Sequence, residues 1–298
     1  MTLHVPEYSY KIASNKHYKI AFSGGRSSAY MLHKILEANN GLPSNCVVTF
    51  ANTGKEHNAT LDFVNEVSVN WHVPIVWLEY EYDTNAKGGI KDPKHKHKIV
   101  NHNSASRDGE PYASMIKGRQ YYLPNKIQRI CTYELKINTM RRYLERDLKI
   151  KEHIAFIGIR YDEKKRWTKA MLTEDCFNQF PMVTDLVTKA DVLKFWSRQS
   201  FDLKTPQVYG NCDLCFLKDR RKLVEAIKRE PSRADWWIEQ ENRVFKKAER
   251  YLTKPQNARF RYVEKYEDLK ISALNEQTLW DGKLDVPTSE EIDCFCGD

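Results

Sequence analysis

Short apolar blocks alternate along the chain with stretches of helical period. Tyr18 to Phe22 (YKIAF) is a compact apolar run of strand length. Ser23-Gly24-Gly25-Arg26-Ser27-Ser28 breaks it. Ala29, Leu32, Ile35 and Leu36 then fall on one face of a helix that stops at Asn39-Asn40-Gly41. Cys46 to Ala51 (CVVTFA) predicts a second strand, followed by the polar turn Asn52 to Glu56. A helix over Thr60 to Trp71 turns Leu61, Val64 and Val67 inward, and Ile75 to Tyr80 (IVWLEY) predicts a third strand. Strand, helix and strand in this rhythm make a parallel sheet with helices on its faces. Ligands of such sheets sit beyond the carboxyl ends of the strands, near the topological switch point. Ser23 and Asn52 stand at such ends.

Residues 83–112 interrupt the rhythm. They carry Gly88-Gly89 and the basic run from Lys91 to Lys98 (KDPKHKHK), which reads as a solvated loop or lid. Arg129 to Leu144 resumes a helical pattern with Leu135, Met140, Tyr143 and Leu144 on the buried stripe. His153 to Ile159 predicts another strand, running directly into the charged segment Arg160 to Arg166. Pro181 to Val187 reads as extended. Thr188 with Asp191 forms a capping box before a helix. Asn211 to Cys215 is expected to open a helix running to Pro231. Residues 235–252 form a further helix, with Trp236, Val244 and Leu252 as core candidates. Beyond Leu252 the periodicity fades into an acidic tail ending DCFCGD. The expected architecture is a parallel-sheet α/β domain over residues 1–200 and a mainly helical, cysteine-containing region over 201–298.

Composition narrows the function classes. Among 298 residues there is no apolar run of membrane-spanning length and no secretory signal, so a cytoplasmic location is expected. The net charge of +8 suits polyanionic ligands such as nucleotides or nucleic acid. Seven cysteines, an odd number, argue against a disulfide framework. Cys212 and Cys215 form a CxxC pair, a metal or redox signature.

A strand that turns through a Gly pair straight into a helix presents backbone N–H groups at a helix N-terminus. The first of these lack intrahelical partners, and the helix dipole favours an anion there. Ser23, Gly24, Gly25, Arg26, Ser27 and Ser28 are therefore candidate phosphate-binding residues. Arg160 and Arg166, at a strand end, are candidates to fork onto oxyanions.

SGGRSS resembles the SGGxxS pyrophosphate loop of the adenine nucleotide alpha hydrolase (PP-loop) superfamily, with Ser27 where many ATP pyrophosphatases carry Asp. ANTGKEHNATL (51–61) resembles the DTG…ET segment of phosphoadenylyl-sulfate (PAPS) and adenylyl-sulfate reductases, with Asn52 in place of Asp. CTYELK (131–136) resembles their CCxxRK, and GIRYDEKKRW (158–167) their GxRxxxSxxR. On these four segments the chain is similar to PAPS-reductase-family PP-loop proteins, closest to a branch common in phages and bacteria.

The resemblance implies an adenine nucleotide, ATP or PAPS, with its phosphates on Ser23 to Ser28 and its base or ribose at Asn52, Thr53 and Gly54. It leaves room for magnesium. It implies catalytic cations at Lys136, Arg160 and Arg166. It implies a 4Fe–4S cluster on Cys131, Cys212 and Cys215, and zinc is the alternative for the same thiols. Thr132 replaces the second Cys of the family pair, so Cys294 or Cys296 would supply the fourth ligand. The reductases' nucleophilic ECGxH tail is here DCFCGD, without the His, and carboxylates around a thiolate raise its cost. The expected activity is therefore adenylation with pyrophosphate release in sulfur transfer, using a tRNA or DNA acceptor and a sulfur donor. The alternatives are a PAPS or adenylyl-sulfate reductase served by a thioredoxin-like reductant, and a non-catalytic nucleotide-sensing or nucleic-acid-binding module.

Overall fold

The computed structural model describes residues 7–85, 94–172, 177–206, 208–210, 212–251 and 259–275. Cys176, Cys294 and Cys296 lie outside them. The strands are β1 (Tyr18–Ala21), β2 (Cys46–Asn52), β3 (Ile75–Tyr82), β4 (His95–Val100), β5 (Ile154–Ile157) and β6 (Asn178–Gln179). They form one sheet in the order β4-β3-β2-β1-β5-β6. Every pairing is parallel except that of β3 with β4. The chain winds outward from β1 through β2 and β3, then returns to the other side of β1 with β5. The switch point thus lies between β1 and β5, where the loop after β1 and the segment after β5 meet.

The helices of the sheet-forming part are α1 (Arg26–Asn39), α2 (Asn58–Asn70), α3 (Glu110–Gly118), a π-helical turn (Thr132–Asn138) continuous with α4 (Thr139–Arg146), α5 (Lys164–Leu172), α6 (Pro181–Thr184) and α7 (Lys189–Trp196). Those that follow are α8 (Arg220–Arg229), α9 (Arg233–Tyr251) and α10 (Tyr266–Asn275). Ile20, Phe22, Ala29, Leu32, Ile35, Val48, Phe50, Leu61, Val64 and Val67 are buried in one core, as the periodicities require. Truncating a residue such as Phe50 to Ala there costs about 3–5 kcal/mol. A second core joins Tyr80, Tyr112, Met115 and Leu135 to α8, α9 and α10. It therefore draws on residues from both sides of position 200.

Several elements differ from expectation. The basic run from Lys91 to Lys98 is not wholly loop, because His95 to Val100 is an edge strand antiparallel to β3. Three of the strand's basic side chains face carboxylates: Lys98 and Glu79 at 2.9 Å, Lys96 and Asp83 at 2.6 Å, His97 and Asp147 at 3.2 Å. Pairing across strands offsets the cost of ordering so many like charges. Pro181 to Thr184 is a short helix rather than an extended segment. The helix expected to open at Asn211 begins only at Arg220, capped by Asp219, whose side chain accepts from Arg221 N. The cysteine segment before it is a series of turns. Trp237, not Trp236, is the fully buried tryptophan of α9. The capping box of α7, Thr188 with Asp191, forms as its sequence predicts.

Candidate active site

The loop after β1 is shaped by packing against α2. Gly24 sits at φ 80°, and a Cβ there would lie 2.8 Å from Thr60 Cγ2 of α2. Both the left-handed backbone and the close approach of α2 demand glycine. Gly25 is the N-cap of α1, at φ −101° in ordinary extended conformation, and supplies no side-chain cap. Ser28 Oγ instead holds the loop together, accepting from Ser23 N at 3.2 Å and donating to Gly25 O at 3.0 Å. Ser23 Oγ lies 2.9 Å from Ser28 Oγ. An N-terminal turn without a side-chain cap is the geometry in which backbone N–H groups receive an anion.

Arg160 reaches this loop from the end of β5. Its Nη1 donates to Ser27 Oγ at 2.8 Å and its Nε to Asp162 Oδ1 at 3.0 Å. Arg166 stands deeper: it is 2% exposed and ion-paired to Glu163, itself buried. Glu163 also accepts from the Arg160 backbone N at 2.9 Å. The structure thus brings Arg160 to the loop and places Arg166 behind Glu163 as its support. Arg26 faces elsewhere. Its guanidinium grips Asp202 through two hydrogen bonds of 2.7 and 2.8 Å and donates to Leu203 O at 2.7 Å. In this position it braces the loop against residues 202–203.

The second segment of the site, at the end of β2, is almost wholly internal. Asn52 is fully buried; its Nδ2 donates to Glu79 Oε1 at 2.7 Å and Ser106 O at 2.8 Å, and its Oδ1 accepts from Gly54 N at 3.1 Å. Its side chain is a brace that closes the turn after β2. Thr53 donates to Glu56 from both its N and its Oγ1, each at 2.9 Å. Burial raises the Glu56 pKa above the ordinary carboxylate value, and the Lys136 ammonium pulls it back. Lys136 lies on the π-helical turn, a distortion often met at functional sites. The turn is anchored by Glu134, which is 1% exposed and pairs with both Arg119 and Arg142.

The C-terminal cysteines are carried to this same place. Thr53 Oγ1 lies 3.9 Å from Cys212 Sγ, and Asp213 N donates to Lys55 O at 2.8 Å. Cys131 hydrogen-bonds with the Tyr112 hydroxyl, and Cys131, Cys212 and Cys215 all lie within electrostatic reach of it. Burial first, then these three thiols, push the Tyr112 hydroxyl pKa well above its usual value. Among the described residues, however, no three His, Cys, Asp or Glu side chains are placed to hold a metal ion. Cys46 is half-buried on β2, and burial pushes its thiol up to about 11, so it is a packed residue.

Sequence reasoning did not find Asp202, Glu79, Tyr112 or Asp213. Each makes its contact with a residue far away along the chain, and no local pattern marks it.

The chain has relatives among known proteins. The family model described as "Phosphoadenosine phosphosulfate reductase domain" matches residues 17–200, which run from the start of β1 through α7. The chain belongs to that family. A relative within reach of this PAPS reductase domain protein is the uncharacterized nin region protein ORF290 of Escherichia phage lambda. It is 30% identical over 211 residues, covering 71% of this chain and 69% of that protein. The family implies a nucleotide ligand. Among the described residues no helix is long and apolar enough to cross a membrane.

Proposed function

We propose that this PAPS-reductase-family protein is a PP-loop enzyme that binds an adenine nucleotide and activates an acceptor for sulfur transfer. The observation that carries the reading is the N-terminal turn of α1, without a side-chain cap, faced by Arg160. Phosphate oxygens would take the backbone N–H groups of the loop, with Ser23 and Ser27 hydroxyls beside them. Arg160 would exchange Ser27 and Asp162 for ligand oxygens, offering charge where a leaving pyrophosphate carries it. The adenosine end would lie along Thr53 and Gly54. In the reaction an acceptor oxygen attacks the α-phosphorus, and the bond to pyrophosphate breaks. Lys136, beside the buried Glu56, supports that end of the site.

A 4Fe–4S cluster, or zinc, on Cys131, Cys212 and Cys215 belongs to the same proposal, with Cys294 or Cys296 as fourth ligand. The placement of all three thiols within electrostatic reach of Tyr112 supports it. The described thiols do not by themselves form a metal-holding group, so the centre requires them to draw together with the tail, and no chemical step is assigned to it.

Sulfonucleotide reduction is the second reading, favoured by the family match itself. Titration with ATP and with PAPS separates the two. ATP consumption that depends on tRNA or DNA supports thiolation, and PAPS binding without ATP binding supports the reductase. Binding of either nucleotide without turnover makes the chain a sensing module.

A further inference from the structure

We infer that Tyr161 is a stacking platform for a base of a single-stranded nucleic acid whose phosphates run over Lys164 and Lys189. The inference rests on the reading above that the site activates an acceptor, and it names that acceptor's class as a polynucleotide strand.

The ring is left over by the nucleotide. In that reading the adenosine end lies along Thr53 and Gly54 after β2, whereas Tyr161 follows β5, on the far side of β1 in the sheet. Tyr161 is also the next residue after Arg160, whose guanidinium reaches the phosphate loop. A strand seated on Tyr161 therefore lies beside the nucleotide and not in its place.

The platform is built before any ligand arrives. Tyr161 N donates to Val187 O at 2.8 Å, and Tyr161 O accepts from Trp167 Nε1 at 2.9 Å. The ring runs nearly parallel to that of Trp167, with 18° between planes and 6.4 Å between centroids. Trp167 is itself 3% exposed and packed in a core with Ile159, Phe180 and Val183. Tyr161 nevertheless stays 43% exposed. A tyrosine held at both main-chain groups and backed by a buried indole presents its remaining surface at little entropic cost, and every base has a π-face to lay on it. Leu186 precedes the Val187 carbonyl that holds Tyr161. It is 58% exposed, in a left-handed turn at φ 56°, and adds apolar surface to this end of the sheet.

Cations stand close by in the fold. Lys164 opens α5 and Lys189 opens α7, and both are exposed. The two helix starts are tied together, since Lys189 N donates to Asp162 Oδ2 at 3.1 Å. Asp162 also accepts from Arg160 Nε, and Asp191 accepts from Thr188 N and Oγ1, so these carboxylates are engaged within the protein. The net charge of +8 adds a long-range attraction for a polyanion. An aromatic face edged by lysines is the combination that binds single strands: stacking takes the bases, and ammonium groups take the phosphates.

The test is fluorescence anisotropy of end-labelled oligonucleotides of about twelve nucleotides, DNA and RNA, with the full-length protein. Wild type is expected to bind a single strand more tightly than the same sequence as a duplex. Tyr161→Ala should weaken that binding by about tenfold, and Tyr161→Phe, which keeps the ring, should stay within about twofold of wild type. Affinity for ATP or PAPS should be the same in Tyr161→Ala as in wild type. Lys164→Gln with Lys189→Gln should reduce the slope of log affinity against log salt by about 1.4, the counterion release of two single-strand phosphate contacts. The tighter of the DNA and RNA strands identifies the source. Equal oligonucleotide affinity in Tyr161→Ala, or no preference for single strand over duplex, overturns the platform. Should Tyr161→Ala not fold, the lysine variant decides, and an unchanged salt slope overturns the strand path. A wild type that binds ATP or PAPS but no oligonucleotide overturns the inference alone. A wild type that binds neither ATP nor PAPS overturns the reading beneath it and, with it, the acceptor role of any strand.

Discussion

Arg160 donates to the hydroxyl of Ser27 across 2.8 Å, joining the segment after β5 to the loop after β1 at the switch point of the sheet. The contact puts a guanidinium at the mouth of the helix N-terminus that the loop leaves without a side-chain cap. It also shows what stands at the position where many ATP pyrophosphatases carry Asp: a neutral hydroxyl that accepts from Arg160. Arg160→Lys is expected to weaken nucleotide binding by about 2 kcal/mol, near 30-fold, because the ammonium keeps the charge and loses the fork. Equilibrium titration checks this, and affinity equal to wild type reduces Arg160 to an ion pair with Asp162.

The two loop glycines are predicted to behave differently. Gly24→Ala meets Thr60 at 2.8 Å in a left-handed backbone, so it should lower stability by about 1–3 kcal/mol. Gly25→Val occupies an extended position and should leave the melting temperature near that of wild type while abolishing binding. Thermal unfolding of the two variants side by side distinguishes a folding role from a binding role. A similar loss of stability in both would contradict the assignment.

The first β-strand, its loop and α1 were legible in the sequence because their information is local. An apolar run, a Gly pair and a 3.6-residue period lie within twenty residues of one another. Edge strand β4 was not legible. His95 to Val100 looks solvated when read alone, and only pairing with Glu79 and Asp83 makes it a strand. The ion pair of Arg26 was not legible for a related reason: its counter-ion Asp202 lies 176 residues away. The start of α8 was placed too early because CxxC suggested a helix N-terminus, whereas Asp219 provides the cap. Tertiary partners decide each of these, and a single sequence does not display them.

Glu241 gives the C-terminal helices a pH dependence. Burial raises its pKa to about 7, although Tyr266 N and Phe260 N donate to it at 3.0 and 3.1 Å. A carboxyl with a raised native pKa binds more protons folded than unfolded. Its contribution is therefore present below the unfolded value of about 4.5 and is lost as pH rises through about 7. The difference is on the order of 3 kcal/mol. Glu241→Gln should flatten that part of the stability profile, read by denaturant unfolding at about pH 5 and about pH 8. An unchanged profile would show that Glu241 does not titrate in this range.

The proposed metal centre makes a prediction about the tail. Truncation after Asp285 removes Cys294 and Cys296 and should lower iron or zinc content and stability together, because metal binding is coupled to ordering of its ligands. Metal analysis of anaerobically prepared full-length and truncated protein reads this directly. Equal metal content in the two would move the fourth ligand away from the tail.

The central claim is that the phosphates of an adenine nucleotide lie on the loop from Ser23 to Ser28. The most direct measurement is calorimetric titration of ATP and PAPS into wild type and into Gly25→Val, with both proteins shown to be folded by thermal unfolding. Binding of at least one nucleotide to wild type and of neither to Gly25→Val is the predicted result. Equal binding to both proteins, or none to wild type, would contradict it.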